Sequence, residues 1–167
     1  MPTVLKISDL DGRGVLAFDL RHLLALLPAE GAATLHWRVI PSKRTTFLLG
    51  KLTALKPVQA FAEEVDSSAE GVTLSWSELL ELAESIHQSV RVTVIGIRAD
   101  GELPSPSALF LDKRRTIDRA TAAFYDAVEV AFEAMDSAYW LVYVQDDAVR
   151  ERIRAAFDEV EVIEVGW

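Results

Sequence analysis

Apolar residues recur along this chain in two rhythms, and the switches between them outline its elements. Alternation at every second position, or a short β-branched run, marks strands at Thr3 to Ile7, Ala33 to Ile40, Thr45 to Leu49, Val90 to Ile97, Val128 to Ala134, Tyr139 to Val144 and Val160 to Val165. In the second of these Leu35, Trp37 and Val39 share one face, and His36 and Arg38 share the other. Helical spacing appears in Leu20, Leu23, Leu24 and Leu27 behind a capping Asp19, and in Val58, Phe61, Ala62 and Val65 after Pro57. It returns in Trp76, Leu79, Leu80, Ala83 and Ile86, in Ile117, Ala120 and Phe124, and in Val149, Ile153, Ala156 and Phe157 behind Asp146 or Asp147.

Local signals place the boundaries. Ser75 and Glu78 stand in the S-x-x-E relation of a capping box and predict a helix over 76–88, with Glu78, Glu81, Ser85 and Gln88 outward and Glu84 beside them. Pro28 and Gly31 stop the first helix, and Asp66 to Gly71 reads as a loop. Asp136-Ser137, between two apolar runs, predicts a tight hairpin, with Val128, Val130, Phe132 and Ala134 on one side of its first strand and Glu129, Ala131 and Glu133 on the other. The turn formers Asp9 to Gly14 predict another, joining the first strand to Val15 to Phe18. Residues 99–116, broken at Asp100-Gly101 and by Pro104 and Pro106, form the longest irregular stretch. Strands joined by hairpins rather than regular βαβ units imply an α+β fold, with a largely antiparallel sheet and helices packed on it, in one compact domain over 1–167.

Half of the 167 residues are hydrophobic, enough for a substantial core, in which Trp37, Trp76 and Trp140 are expected; Trp167 is either a lid on the sheet or exposed. The absence of cysteine removes disulfides, zinc-thiolate sites, iron–sulfur clusters and thiol catalysis. No apolar run reaches the ~18 residues of a membrane span, and Met1 to Lys6 lacks the pattern of a signal peptide, so a cytoplasmic protein away from membranes is expected. A net charge of −9 argues against nucleic acid, and Lys113-Arg114-Arg115 with Arg119, the one basic cluster, lacks interleaved stacking aromatics. The acids are concentrated: residues 57–90 hold seven carboxylates and no Lys or Arg, and residues 120–167 hold eleven against three arginines. Such blocks are solvated helix faces or a docking surface for a basic partner.

Few constellations carry chemistry. The histidines at 22, 36 and 87 lack metal-ligand spacing, and Asp19 beside His22 is better used as a cap. A calcium loop from Asp9 would need oxygen ligands where Arg13 and Leu20 stand, and phosphate-cradling glycine motifs are missing. Neither cofactor nor metal is expected. Ile7-Ser8-Asp9-Leu10-Asp11-Gly12 resembles the first motif of the haloacid dehalogenase phosphotransferases. That resemblance implies Asp9 as nucleophile, Asp11 as acid/base, and magnesium with Asp146 or Asp147 as a further ligand. The family's hydroxyl residue is replaced by Arg13, and no catalytic lysine or Ser/Thr strand motif is evident, so turn chemistry is the preferred reading of both aspartates.

Trp76 to Gln88 and Asp136 to Asp146 resemble segments of small uncharacterised bacterial proteins, some similar to the immunity partners of secreted toxins. The resemblance implies a non-catalytic protein that binds another protein, in its leading form a basic toxin, with stoichiometry left open. Charge clustering then nominates Glu63, Glu64, Asp66, Glu78, Glu81 and Glu84 as the surface that attracts such a partner.

Overall fold

The computed structural model describes residues 1–42, 45–48, 58–86, 88–102, 104–110 and 116–166. Eight strands make one sheet: β1 (Thr3–Ile7), β2 (Leu35–Ile40), β3 (Thr46–Leu48), β4 (Val72–Leu74), β5 (Gln88–Arg98), β6 (Val128–Met135), β7 (Tyr139–Val144) and β8 (Val160–Glu164). Their order is β4-β2-β5-β6-β7-β1-β8, with β3 also paired to β5, and each pairing is antiparallel. This is the expected α+β fold. The hairpin between β6 and β7 turns at Asp136 and Ser137, whose φ values of 51° and 59° give the twist a two-residue connection needs. Arg91 of β5 holds Asp136 at 3.0 Å and ties the turn to the next strand. Gly96 lies opposite Trp37, and a Cβ there would come within 3.0 Å of the indole, so the missing side chain lets the ring lie flat on the sheet.

Helices and short turns cover both faces. On one face lie α1 (Leu20–Leu24), α2 (Ala29–Ala33), α3 (Val58–Ser67), α4 (Trp76–Ser85) and a later helix, Asp147–Ala155, which bury Leu23, Val65, Leu79 and Ile153 against Trp37 and Phe132. On the other lie α5 (Pro106–Leu109), a 3₁₀ turn (Ile117–Arg119) and α6 (Ala122–Ala127), which bury Leu109, Ile117 and Phe124 against Ile95, Ala131 and Tyr143. The helix at Asp147–Ala155 is thus α7. Asp19 anchors α1: its buried carboxylate accepts bonds from Leu20 N at 2.6 Å and from Ser89 N and Oγ of β5 at 2.7 and 2.8 Å. His22 Nδ1 accepts the Asp19 amide at 2.9 Å, so this histidine is part of the cap.

The differences from expectation are local. Val15 to Phe18 form no strand; a single bridge joins Leu10 to Leu16, because both sides of β1 are taken by β7 and β8. Helix α1 already ends at Leu24, short of Leu27 and Pro28; Pro28 instead stands at the N-cap of α2, which contains Gly31 and which the sequence reading missed together with β4. Asp66 belongs to the last turn of α3 rather than to a loop. Helix α4 stops at Ser85, and its buried stripe is Leu79, Leu82, Ala83 and Ile86: Leu82 is 1% exposed and Leu80 38%. The helical reading from 116 splits into the 3₁₀ turn and α6, though Ile117, Ala120 and Phe124 are inward as expected. Ala156 faces solvent, while Phe157 packs on Phe18 with ring centroids 4.5 Å apart. Pro57, the Val58 side chain, His87, Lys113-Arg114-Arg115 and Trp167 lie outside the described residues.

Candidate functional site

The six nominated carboxylates fall on two helices, α3 and α4, seated on the same face of the sheet near its β4 edge. Phe61 and Val65 fix α3, and Leu79 and Leu82 fix α4, so the opposite sides of both helices meet solvent. The carboxylates then divide. Asp66 turns back to the chain and accepts bonds from Ser42 N, Thr45 N and Thr45 Oγ1 at 3.2, 2.8 and 2.7 Å, which makes it a brace for the segment between β2 and β3. Glu78 completes the capping box, accepting the Ser75 amide at 2.7 Å while Ser75 Oγ accepts the Glu78 amide at 3.2 Å. The Ser75 amide, followed by the Ser75 hydroxyl, holds the Glu78 carboxyl below the usual range. Glu63 and Glu84 are exposed, and Glu64 and Glu81 are half-buried. The outward position of Leu80 puts an apolar side chain among the α4 acids, so the helix presents a mixed surface rather than a uniformly charged one.

Asp9 and Asp11 answer to different neighbours. Asp9 reaches across to the turn before β8 and accepts the amides of Asp158 and Glu159 at 2.9 and 2.5 Å. Asp11 caps its own turn, accepting Arg13 N at 2.8 Å and Val15 N at 3.2 Å, with the Arg13 guanidinium 3.0 Å away. The amide bonds from Arg13 and Val15 lead in holding the Asp11 carboxyl below its ordinary range. Asp146 caps α7 through Ala148 N and Val149 N at 2.8 and 3.0 Å, and Asp147 pairs with Arg150 at 2.6 Å. Each of the four aspartates therefore has a local structural role. Among the described residues no group of three or more His, Asp or Glu side chains is placed to hold a metal ion.

Two grooves that the sequence reading missed lie at the end of the sheet formed by Arg98, Glu129 and Gln145. Arg98 crosses from β5 to pair with Glu129 of β6 and donates to Gln145 at 3.2 Å, and this bridge is a wall common to both. One groove, about 370 Å³, is largely apolar and is lined by Leu27, Ala32, Leu35, Val130, Val144 and Val149. The other, about 500 Å³, carries exposed Asp100, Glu102 and Asp126. Their parts come from four distant stretches of chain, and no short motif announces them.

The deepest titratable group is Glu133, 2% exposed, between β5 and β7 on the face covered by the 3₁₀ turn. Its Oε2 accepts the Ile117 amide at 2.8 Å, and Thr93 Oγ1 lies 3.4 Å from Oε1. Burial pushes its pKa up to about 8, with nearby Asp118 adding to the rise. Tyr125 donates to the Ile117 carbonyl, and Tyr143 donates to the Tyr125 carbonyl at 3.3 Å; burial raises both phenols. Each of these side chains satisfies a backbone group of the covering segment. No family model, curated protein or solved structure matches the chain.

Proposed function

We propose that this protein is a non-catalytic binding module of the cytoplasm, an immunity or regulatory inhibitor that attracts a basic partner through the carboxylates of α3 and α4. Among the described residues no helix is long and apolar enough to cross a membrane, in keeping with that setting. The supporting observation is the pairing of charge with rigidity: residues 57–90 carry seven acids and no Lys or Arg, and the helices bearing most of them are locked onto the sheet by buried apolar stripes. Fixed like charges steer an oppositely charged protein and lose little conformational freedom on docking. Asp66 and Glu78 act in this reading chiefly as braces, and exposed Glu63 and Glu84 lead the surface that meets the partner, flanked by half-buried Glu64 and Glu81 and with Leu80 as an apolar contact among them.

The test is a titration calorimetry series with the product of the neighbouring upstream gene. The combined Glu63→Lys, Glu81→Lys and Glu84→Lys variant should bind at least roughly tenfold more weakly and show a flatter salt dependence. Unchanged affinity in that variant, with unchanged circular dichroism, removes the assignment.

A further inference from the structure

We infer that the outer edge of β8 is a docking site for an extended basic segment of another protein, which adds to the sheet as a further antiparallel strand. Strand β8 bonds to β1 alone, in the register Thr3 opposite Glu164 to Ile7 opposite Val160. Beyond the two ends of that ladder, Ser8 N donates to the Glu159 carbonyl and Val165 N to the Pro2 carbonyl, each at 3.0 Å. Antiparallel geometry then assigns 159, 161, 163 and 165 to β1 and turns the N–H and C=O groups of Val160, Val162 and Glu164 outward. Among the described residues no strand pairs with that side.

Protein sheets blunt such edges with short strands, charged side chains, proline or a bulge, and of these β8 has only its glutamates, which discourage acidic strands and admit basic ones. The opposite edge follows that rule: β4 is three residues long and is followed at once by the cap of α4. Strand β8 has five residues, contains neither Pro nor Lys, keeps its register throughout, and leaves Val162 43% exposed. Both of its ends are pinned, by the Asp9 carboxylate on the amides of Asp158 and Glu159 and by the bond from Val165 to Pro2, so the edge is held straight before any partner arrives.

Charge selects the occupant. Asp158, Glu159, Glu161 and Glu164 are exposed along this edge, and Lys6, 3.0 Å from Glu161, is the cation paired with them among the described residues. A second copy of the chain would bring the same carboxylates into the new pairing. A strand alternating Lys or Arg with apolar residues would instead place cations beside Glu161 and an apolar side chain beside Val162. This surface lies at the far end of the sheet from α3 and α4, roughly 29 Å away at the usual strand spacing, and its test is independent of theirs.

The experiment uses the whole protein and a fluorescent peptide of alternating lysine and valine, followed by anisotropy and by amide hydrogen exchange. Saturable binding that weakens with salt, with new protection at the amides of Val160, Val162 and Glu164, is the expected result. The same peptide N-methylated along one edge should lose binding by roughly tenfold or more, because only backbone pairing distinguishes the two ligands. Val162→Pro removes an outward N–H that β1 does not use, and should abolish binding with circular dichroism unchanged. Equal binding of the N-methylated peptide, or protection confined to other amides, overturns the proposal. So does a dimer in light scattering that Val162→Pro dissociates, since it would assign the edge to a second copy.

Discussion

Phe132 and Glu133 are neighbours on β6, yet they enter two different interiors. Phe132 meets the face covered by α1 to α4 and α7, where the buried side chains are mainly apolar, Asp19 with Ser89 at the α1 cap being the charged exception, and one buried donor, Trp140 Nε1, is without a hydrogen-bond partner among the described residues. Glu133 meets the face covered by residues 104–110 and 116–127, where a carboxyl, two tyrosines and Thr93 lie among the apolar residues. The cover explains the contrast. Helices such as α4 and α7 satisfy most of their own backbone and end in side-chain caps, so they need only an apolar bed. A 3₁₀ turn between two short helices leaves amides and carbonyls to side chains, and Ile117 receives an acceptor from Glu133 of the sheet below and a donor from Tyr125 of α6 within the cover.

Four substitutions test this division. Phe132→Ala should cost about 3–5 kcal/mol in denaturant titration, the price of a cavity in the apolar face, with no dependence on pH. Glu133→Gln addresses the polar face through its pH profile. A carboxyl at about 8 in the folded protein and near 4.5 when unfolded keeps its proton in the native state over a range in which the unfolded chain releases it. Stability from this group is therefore full below pH 4.5, falls as pH rises toward 8, and is level above that. The loss is on the order of 3 kcal/mol between pH 5 and pH 8. The Gln variant keeps the acceptor for the Ile117 amide and should flatten that slope, becoming more stable than wild type at pH 8. A parallel slope in both proteins would show that Glu133 is not its source. Ser75→Ala, which removes a cap from a helix on the apolar face, should cost about 1 kcal/mol. Trp140→Phe should change stability by less than about 1 kcal/mol, because the lost ring volume is offset by deletion of a buried donor that lacks a partner.

The same division explains what could be read in advance. Strands and helices with strong internal periodicity were legible: the Ser75 and Glu78 box, the turn at Asp136, the Asp19 cap and the face assignment of Trp37 are found as expected, and of the two candidate caps of α7 the structure uses Asp146. The α4 register was misread because Leu79, Leu80 and Leu82 are equivalent in hydrophobicity, and only the packing of α1 and β2 decides which of them turns in. Glu133 was assigned to the side of β6 opposite Phe132, and the alternation alone does not tell whether that side is covered. The described cover comes from residues 104–110 and 116–127, where apolar positions follow no single period. The grooves beside Arg98 were invisible for a related reason, since their walls are assembled across strands from residues that are unremarkable in sequence. Asp11 caps its own turn as read, whereas the Asp9 carboxylate holds the start of β8, which nothing local indicated.

The place of β1 has a consequence for how the chain acquires its shape. Ile7 is bonded on one side to the strand containing Trp140 and on the other to the strand containing Val160. During synthesis β1 must wait for β7 and β8, and a nascent chain that has not yet reached residue 139 has no neighbour for it on either side. This end of the sheet therefore closes late and through distant contacts, an order that slows folding and leaves Val4, Leu5 and Ile7 in need of shelter until residues 139–164 have emerged.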